Sequence, residues 1–144
     1  MASLDALTTV LAQNGDNIVA SSDMYGGTGS YLSTLAPRRG IEARTVPTLE
    51  YDAYEEAIDD DTAYVHVETL ANPSLLTPEF ERLADIAHEH AVPLVVDNTF
   101  GTPCLCRPLE VGAAIAWQST TTWRHASGTT VAGSLAHGAS SPWA

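Results

Sequence analysis

The apolar positions of the chain form short runs that follow two periods, one typical of strands and one typical of helices. The clearest run covers 92–100 (VPLVVDNTF), where apolar residues follow one another without alternation and then meet Asp97 and Asn98. An unbroken apolar run before a turn predicts a strand buried on both faces, and such strands belong to parallel sheets covered by helices. Ligands of open α/β sheets bind at the carboxyl ends of the strands, where Asp97 lies.

The rest of the pattern extends this unit along the chain. Strands are predicted at 17–21, 42–46, 62–68, 113–117 and 129–135, and helices at 2–13, 30–36 and 49–58. A further helix is predicted to be capped by Thr77, with Pro78 at its first position, and residues 22–29 are predicted to form a loop. Strands that alternate with helical segments predict βαβ units, and therefore an α/β fold of three layers around a mostly parallel sheet.

The charge of the chain narrows the classes of partner. There are 18 acidic and 6 basic residues among 144, which gives a net charge of −12, and all six basic residues are arginines. Because like charges repel, nucleic acid and anionic membrane are not expected as partners. An excess of acids without lysine suits a salt-rich cytoplasm, where ions screen the self-repulsion, so an acidic, halophilic protein is expected.

The cysteines and the N-terminus indicate the cellular compartment. Cys104 and Cys106 are two positions apart, which is poor geometry for a mutual disulfide, so free thiols in a reducing cytosol are expected. The first 14 residues contain Asp5 and no basic residue, so they do not resemble a secretory signal. No apolar run reaches transmembrane length, and the expected location is cytoplasmic.

Polar residues follow the predicted strands and should therefore meet at one edge of the sheet. They are Tyr25, Glu68, Asn72, Asp97, Ser119, Thr120 and Thr121. Asp97 is either a structural acid held by backbone N–H groups or an anion that awaits a cationic ligand, because a buried unpaired charge is costly. Tyr25 has an alternative interpretation as a surface aromatic residue, and Asn72 as a turn residue before proline. The cluster from Ser119 to Thr122 has one as a strand exit or a cap.

Other motifs carry weaker signals. The glycine cluster at 26–29 could cradle a phosphate, but it lacks the complete dinucleotide-binding fingerprint. His66 and Glu68 share a strand face and would need a third ligand to bind a metal. His88 and His90 lie on different sides of a helix, which favours a solvated surface.

Four sequence blocks occur in an order that resembles one family. The blocks are YGGT at 25–28, ETLANP at 68–73, DNTFGTP at 97–103 and QSTTTW at 118–123. They resemble the pyridoxal-phosphate (PLP)-dependent enzymes of cysteine and methionine metabolism, in the branch of O-acetylhomoserine sulfhydrylase and cystathionine γ-synthase. SGTTVAG at 127–133 resembles the same branch. The resemblance implies that 1–144 is part of the PLP-binding large domain of fold type I.

The resemblance also implies roles for individual residues. Asp97 would pair with the protonated pyridine nitrogen, and Tyr25 would stack on the ring. Asn72 would donate to the phenolic oxygen, while Ser119 and Thr121 would bind the phosphate. The family acts on small amino-acid substrates, and a homo-oligomer is expected.

The chain departs from the family at the residue that matters most for catalysis. Thr122 stands where the family has its Schiff-base lysine, and the chain has no other lysine. A threonine hydroxyl can neither form an imine nor act as an amine base, so PLP is expected to bind non-covalently at best. Met1 matches the end of a phosphate-binding turn, and the family's N-terminal arm and C-terminal domain are expected to be absent.

Two functional hypotheses follow, from different classes. The first is a PLP-dependent transsulfuration enzyme that makes or breaks C–S bonds of homoserine derivatives, impaired or inactive as this chain. The second is a non-catalytic remnant that binds PLP non-covalently or pairs with an intact paralogue. A hydrolase built on Ser119 and a histidine is a third interpretation, but it lacks a nucleophile-elbow pattern.

Overall fold

A computed structural model of the chain describes residues 1–125 and 127–138. Within these ranges the helices are α1 (Ala2–Leu11), α2 (Gly26–Ser30), α3 (Tyr51–Ala57), α4 (Phe80–Glu89) and α5 (Thr102–Leu105). The strands are β1 (Asn17–Ser21), β2 (Glu42–Val46), β3 (Thr62–Glu68), β4 (Leu94–Asp97), β5 (Ile115–Ser119) and β6 (Gly133–His137). A π-helical turn at Tyr31–Leu35 continues α2, and 3₁₀ turns lie at Pro37–Arg39 and Pro108–Val111.

The described strands form one sheet in the order β2-β1-β3-β4-β5-β6. Neighbouring strands are parallel from β2 to β5, and β6 runs antiparallel to β5. The chain moves from β1 to one edge and then crosses back to β3 before it continues to β5. The order therefore reverses between β1 and β3, and such a reversal opens a crevice at the carboxyl ends of the strands.

Helices cover both faces of the sheet, because the strands are apolar on both sides. One face carries α3 and α4, and its buried cluster includes Val19, Tyr54, Val65, Val67, Leu83 and Val96. The other face carries α1 and the turn after α2, and its cluster includes Leu4, Ile18, Tyr31, Tyr64, Val95 and Trp117. Every residue of β4 is buried, as the unbroken apolar run indicates. The predicted three-layer α/β fold with a mostly parallel sheet is confirmed.

The predicted loop at 22–29 is wrong in its second half, because α2 begins at Gly26. Glycine disfavours helix, yet tertiary contacts override that preference here. Thr28 is completely buried, and the residue before the helix, Tyr25, donates its backbone N–H to the Glu68 carboxylate over 2.6 Å. The glycine cluster is thus the first turn of a helix.

The predicted start of α4 is also wrong. The helix begins at Phe80, its N-cap is Glu79, and that N-cap makes no side-chain cap hydrogen bond. The backbone N–H of Glu79 donates instead to the hydroxyl of Tyr51 on α3 over 2.9 Å. A donor at the helix start is therefore satisfied across the helix pair, and Thr77 is not needed as a cap.

The last two strands lie further along the chain than predicted. β5 spans Ile115–Ser119 rather than 113–117, and β6 spans Gly133–His137 rather than 129–135. Their antiparallel register pairs Ile115 with His137 and Ser119 with Gly133. Cross-strand pairing sets these boundaries, and local composition does not reveal it. Two short helical segments after β4 were not predicted, α5 and the 3₁₀ turn at Pro108–Val111.

None of the described helices is long and apolar enough to cross a bilayer. Both cysteines are free thiols, Cys104 exposed and Cys106 partly buried.

Candidate functional site

A pocket of about 350 Å³ lies at the carboxyl ends of the central strands. Its volume is within the range of small-molecule sites. The residues that line it are Met1, Tyr25, Glu68, Leu70, Asn72, Asp97, Thr99, Phe100, Trp117, Ser119, Thr121 and Thr122. The pocket thus brings together every site residue that the family resemblance implied. Thr120, the other polar residue expected at this edge, is not among the lining residues.

Asp97 ends β4 and is only 6% exposed. The backbone N–H and the hydroxyl of Thr99 both donate to its Oδ1, over 2.9 and 2.5 Å. Among the described residues, none donates a hydrogen bond to Oδ2. Burial raises the pKa of Asp97 to about 6, although the Thr99 hydrogen bonds and the α-amino charge of Met1 oppose that shift. The carboxylate is therefore a buried anion with one oxygen available to a ligand.

Glu68 ends β3 directly beside Asp97 in the parallel register. The residue is only 5% exposed. Its carboxylate accepts the backbone N–H of Tyr25 at Oε1 over 2.6 Å and that of Asn72 at Oε2 over 3.0 Å. Burial raises its pKa to about 7, and the negative charge of Asp97 adds to that shift. Two carboxyl groups thus share an edge of the pocket whose described lining includes no lysine or arginine side chain.

Thr99 joins the end of β4 to the end of β5. Its hydroxyl donates to Asp97 and accepts the backbone N–H of Ser119 over 2.9 Å. A hydroxyl can act in both directions, so one side chain positions both neighbours. The signal was available in the sequence, because a threonine two residues after an aspartate commonly closes such a local hydrogen bond.

Asn98 is a buried scaffold rather than a simple turn residue. Its side-chain oxygen accepts from the Thr69 hydroxyl over 2.7 Å, and its amide nitrogen donates to the Cys106 carbonyl over 2.9 Å. Gly101 has to be small, because a Cβ atom there would overlap both Asn98 and Thr69. These contacts hold together the segments that follow β3 and β4.

Tyr25 is the one aromatic side chain at the mouth of the pocket that sequence reasoning singled out. It is 51% exposed, and it stands at the start of α2. A Cβ atom on Gly27 would overlap its ring. The ring therefore lies where residue 27 leaves room for it, which gives this glycine a steric role.

The remaining predicted residues differ in how accessible their side chains are to a ligand in the pocket. Ser119 and Asn72 are partly buried, and Thr122 is exposed at the pocket wall. The Thr121 hydroxyl is engaged, because it donates to the Ala132 carbonyl over 3.2 Å and accepts the Ala132 N–H over 3.0 Å. Met1 is the N-cap of α1, so the pocket includes a helix N-terminus, which favours anionic groups.

Sequence reasoning missed the apolar wall of the pocket. Leu70, Phe100 and Trp117 line it, and the rings of Phe100 and Trp123 pack with centroids 6.2 Å apart. Leu70 and Phe100 follow strand ends that were identified, so their positions were accessible. Trp117 was placed in a strand, but its direction depends on the register between β4 and β5.

His66, considered as a metal ligand with Glu68, is buried inside the fold. Its Nε2 accepts the Trp117 indole N–H over 3.1 Å, and complete burial lowers its pKa to about 4. Among the described residues, no three His, Cys, Asp or Glu side chains are placed to hold a metal ion together. His66 therefore packs under the pocket as a neutral ring.

Comparison with known proteins gives the chain its relatives. A sulfhydrylase of Fusarium oxysporum is 49% identical over 124 residues, which cover 85% of this chain and 29% of that protein. O-acetyl-L-homoserine sulfhydrylase 1 of Thermus thermophilus is 42% identical over 140 residues, which cover 96% of this chain and 33% of that protein. The chain thus spans about a third of the length of these curated relatives.

A solved structure shows the same fold. A Campylobacter jejuni protein, crystallised with N′-pyridoxyl-lysine-5′-monophosphate, superimposes with a TM-score of 0.94 at 31% identity. The match covers 96% of this chain and 34% of that one. This places the described sheet and helices in fold type I of the PLP-dependent enzymes. The model of the Cys/Met metabolism PLP-dependent enzymes matches residues 1–144, and the chain belongs to that family.

Proposed function

We propose that the pocket binds PLP and that Asp97 pairs with its protonated pyridine nitrogen. The observation that carries the proposal is the buried Asp97 carboxylate, whose Oδ1 is occupied by Thr99 while Oδ2 accepts no hydrogen bond from the described residues. A buried anion of this kind is costly unless a cation or strong donor meets it. When bound, the cofactor supplies an electron sink for amino-acid chemistry, and a carboxylate at the ring nitrogen preserves that property.

Other residues of the pocket fit the remaining parts of the cofactor. Tyr25 offers an aromatic face to the ring, and Asn72 offers an amide donor to the phenolic oxygen. Ser119 offers a hydroxyl to the phosphate beside the N-terminus of α1. Thr121 contributes only if its hydroxyl exchanges Ala132 for the phosphate, since it is engaged there in the structure.

By descent, the function is the transsulfuration chemistry of homoserine derivatives, in which a sulfur nucleophile replaces the γ-acyloxy group. The names of the sulfhydrylase relatives support this substrate class. In this chain Thr122 lines the pocket where the family resemblance places the catalytic lysine, and the sequence holds no lysine at all. Without that amine there is neither a tether for the aldehyde nor a base for the proton transfers, so turnover by this chain is impaired or absent.

The second candidate is a non-catalytic part of a PLP-binding large domain, covering 1–144. The identity of Thr122 favours it, because a hydroxyl cannot supply the amine chemistry while the other lining residues of the pocket remain in place. The chain would then bind PLP non-covalently or pair with an intact paralogue. Both candidates use the same pocket, and turnover is the property that distinguishes them in an assay.

The experiment measures binding and turnover separately. Purified chain is titrated with PLP while protein fluorescence and cofactor absorbance are followed, and O-acetylhomoserine with sulfide is then assayed for homocysteine. Saturable binding that the Asp97→Asn variant weakens, without turnover, is expected. Absence of saturable binding in folded protein contradicts the cofactor proposal, and homocysteine production by this chain contradicts the non-catalytic candidate.

A further inference from the structure

Glu68 occupies a position from which it contacts two separate segments of the pocket wall. Oε1 accepts the N–H of Tyr25, 43 residues earlier in the chain, and Oε2 accepts the N–H of Asn72 four residues later. The side chains of Tyr25 and Asn72 both line the pocket. One buried carboxylate therefore joins the start of α2 to the turn that follows β3.

The fold alone does not account for a carboxylate at this position. The residue is 5% exposed, and it has no lysine or arginine partner among the described residues, since its two hydrogen bonds come from neutral N–H groups. The charged group that faces it is Asp97, which repels it. Burying an ionised carboxyl beside another one costs stability. The two donors offset part of that cost, and an ionised carboxylate accepts both of them with strong hydrogen bonds.

Neutral replacements show what the carboxylate provides. A glutamine has one oxygen acceptor and one NH₂ donor, so it can accept only one of the two N–H groups. Its NH₂ would then face the other N–H, donor against donor. The arrangement needs two acceptor atoms on one planar group, and an ionised glutamate supplies them.

We propose that Glu68 is a positioning residue of the cofactor pocket, whose two carboxylate oxygens hold the backbone N–H groups of Tyr25 and Asn72 and so set where these side chains meet the ligand. The effect on the ligand rests on the proposed binding of PLP. The two hydrogen bonds themselves, here called the Glu68 brace, are a property of the chain without ligand. Glu68 does not touch the reacting atoms in this scheme, and it acts through the two residues that it holds.

The first measurement uses the chain without ligand. Because the glutamine of Glu68→Gln keeps one acceptor oxygen, at least one of the amide hydrogens of Tyr25 and Asn72 is expected, in ¹⁵N-labelled protein, to exchange on the order of tenfold faster than in wild type. The amide of Thr99, which bonds to Asp97, should keep its protection. Glu55→Gln, an exposed carboxyl of α3, is the matched control and should change neither. Unchanged protection of both amides in Glu68→Gln would overturn the brace.

The second measurement uses PLP itself. Wild type, Glu68→Gln and Glu55→Gln are titrated with PLP at pH 8, and an affinity loss on the order of tenfold is expected for Glu68→Gln alone. Released amides with unchanged PLP affinity would show a purely structural brace and overturn the positioning role. If wild type binds no PLP while the amides respond to the substitution, the proposed cofactor falls and the brace in the free chain stands.

A third measurement needs no variant and covers the case in which Glu68→Gln does not fold. In the wild-type spectrum, the Tyr25 and Asn72 amide shifts are expected to titrate together with a common midpoint, as bonds to one carboxyl group require. Independent midpoints, or no titration between pH 5 and 8, would contradict the shared contact.

Discussion

The substitution Asp97→Asn separates ligand binding from stability more sharply than any other change in the pocket. Asparagine has nearly the same shape, and its Oδ1 can keep both hydrogen bonds from Thr99. Its NH₂ group replaces the oxygen proposed to meet the pyridine nitrogen. The change therefore removes one negative charge and one acceptor, and it leaves the local scaffold in place.

The two expected effects have opposite signs. Removing one partner of a buried, hydrogen-bonded charge pair costs about 2–5 kcal/mol, which corresponds to a roughly 30-fold to several-thousand-fold loss of PLP affinity. In the free protein the pKa of Asp97 is raised from 3.8 to about 6. A raised acid pKa means that the ionised form is disfavoured in the folded state, so ionisation of Asp97 lowers the free energy of unfolding of the wild type above pH 6. At pH 8 the variant should gain stability, on the order of 1–3 kcal/mol.

The assay pairs PLP titration with urea unfolding of the free protein, both at pH 8. Asp85→Asn, an exposed acid on α4, is the control and should leave both quantities unchanged. The expected variant is a weaker binder and a more stable protein. An Asp97→Asn protein that binds PLP as tightly as wild type would refute the pairing, and one less stable than wild type at pH 8 would refute the account of the buried charge.

Four further outcomes are expected. Thr122→Lys should form a borohydride-reducible bond to PLP that mass spectrometry locates at residue 122, with wild type as the control for the α-amino group; a folded variant without that adduct contradicts the placement of Thr122. Gly27→Ala should gain about 0.5–1 kcal/mol of helix stability while it displaces the Tyr25 ring and weakens PLP severalfold, and unchanged affinity contradicts the steric role of the glycine. The pKa of Glu68 is raised from 4.5 to about 7, so its ionisation lowers the free energy of unfolding above pH 7 and not below pH 4.5. The free energy of unfolding of wild type should therefore rise relative to that of Glu68→Gln as the pH falls from 8 to 5. His66, whose lowered pKa acts in the opposite direction, is present in both proteins, so its contribution cancels in the comparison. With a net charge of −12, the melting temperature should rise with added KCl as self-repulsion is screened, and a maximum in low salt contradicts this.

Part of the site was predictable, because its residues directly follow apolar runs that can be identified in the sequence alone. The run before Asp97 predicts β4, and the parallel arrangement then places Asp97, Ser119 and Tyr25 at one edge of the sheet. The same reasoning could not reveal that Glu68 bonds to a residue 43 positions away. The phosphate role of Thr121 is implied by the family resemblance alone and stays a prediction; in the chain without ligand its hydroxyl bonds to Ala132.

The amino-acid sequence by itself determined the α/β class, the family and the absence of an amine at Thr122, because each depends only on which residues occur and in what order. The tertiary structure decided which polar groups contact one another and how deeply each of them is buried. The pKa values of Glu68 and Asp97 are raised because packing at the ends of two neighbouring strands buries both carboxyl groups, and the charge of Asp97 adds to the shift of Glu68. Burial is a property of packing in three dimensions, so the electrostatics of this pocket could not be obtained from the order of the residues.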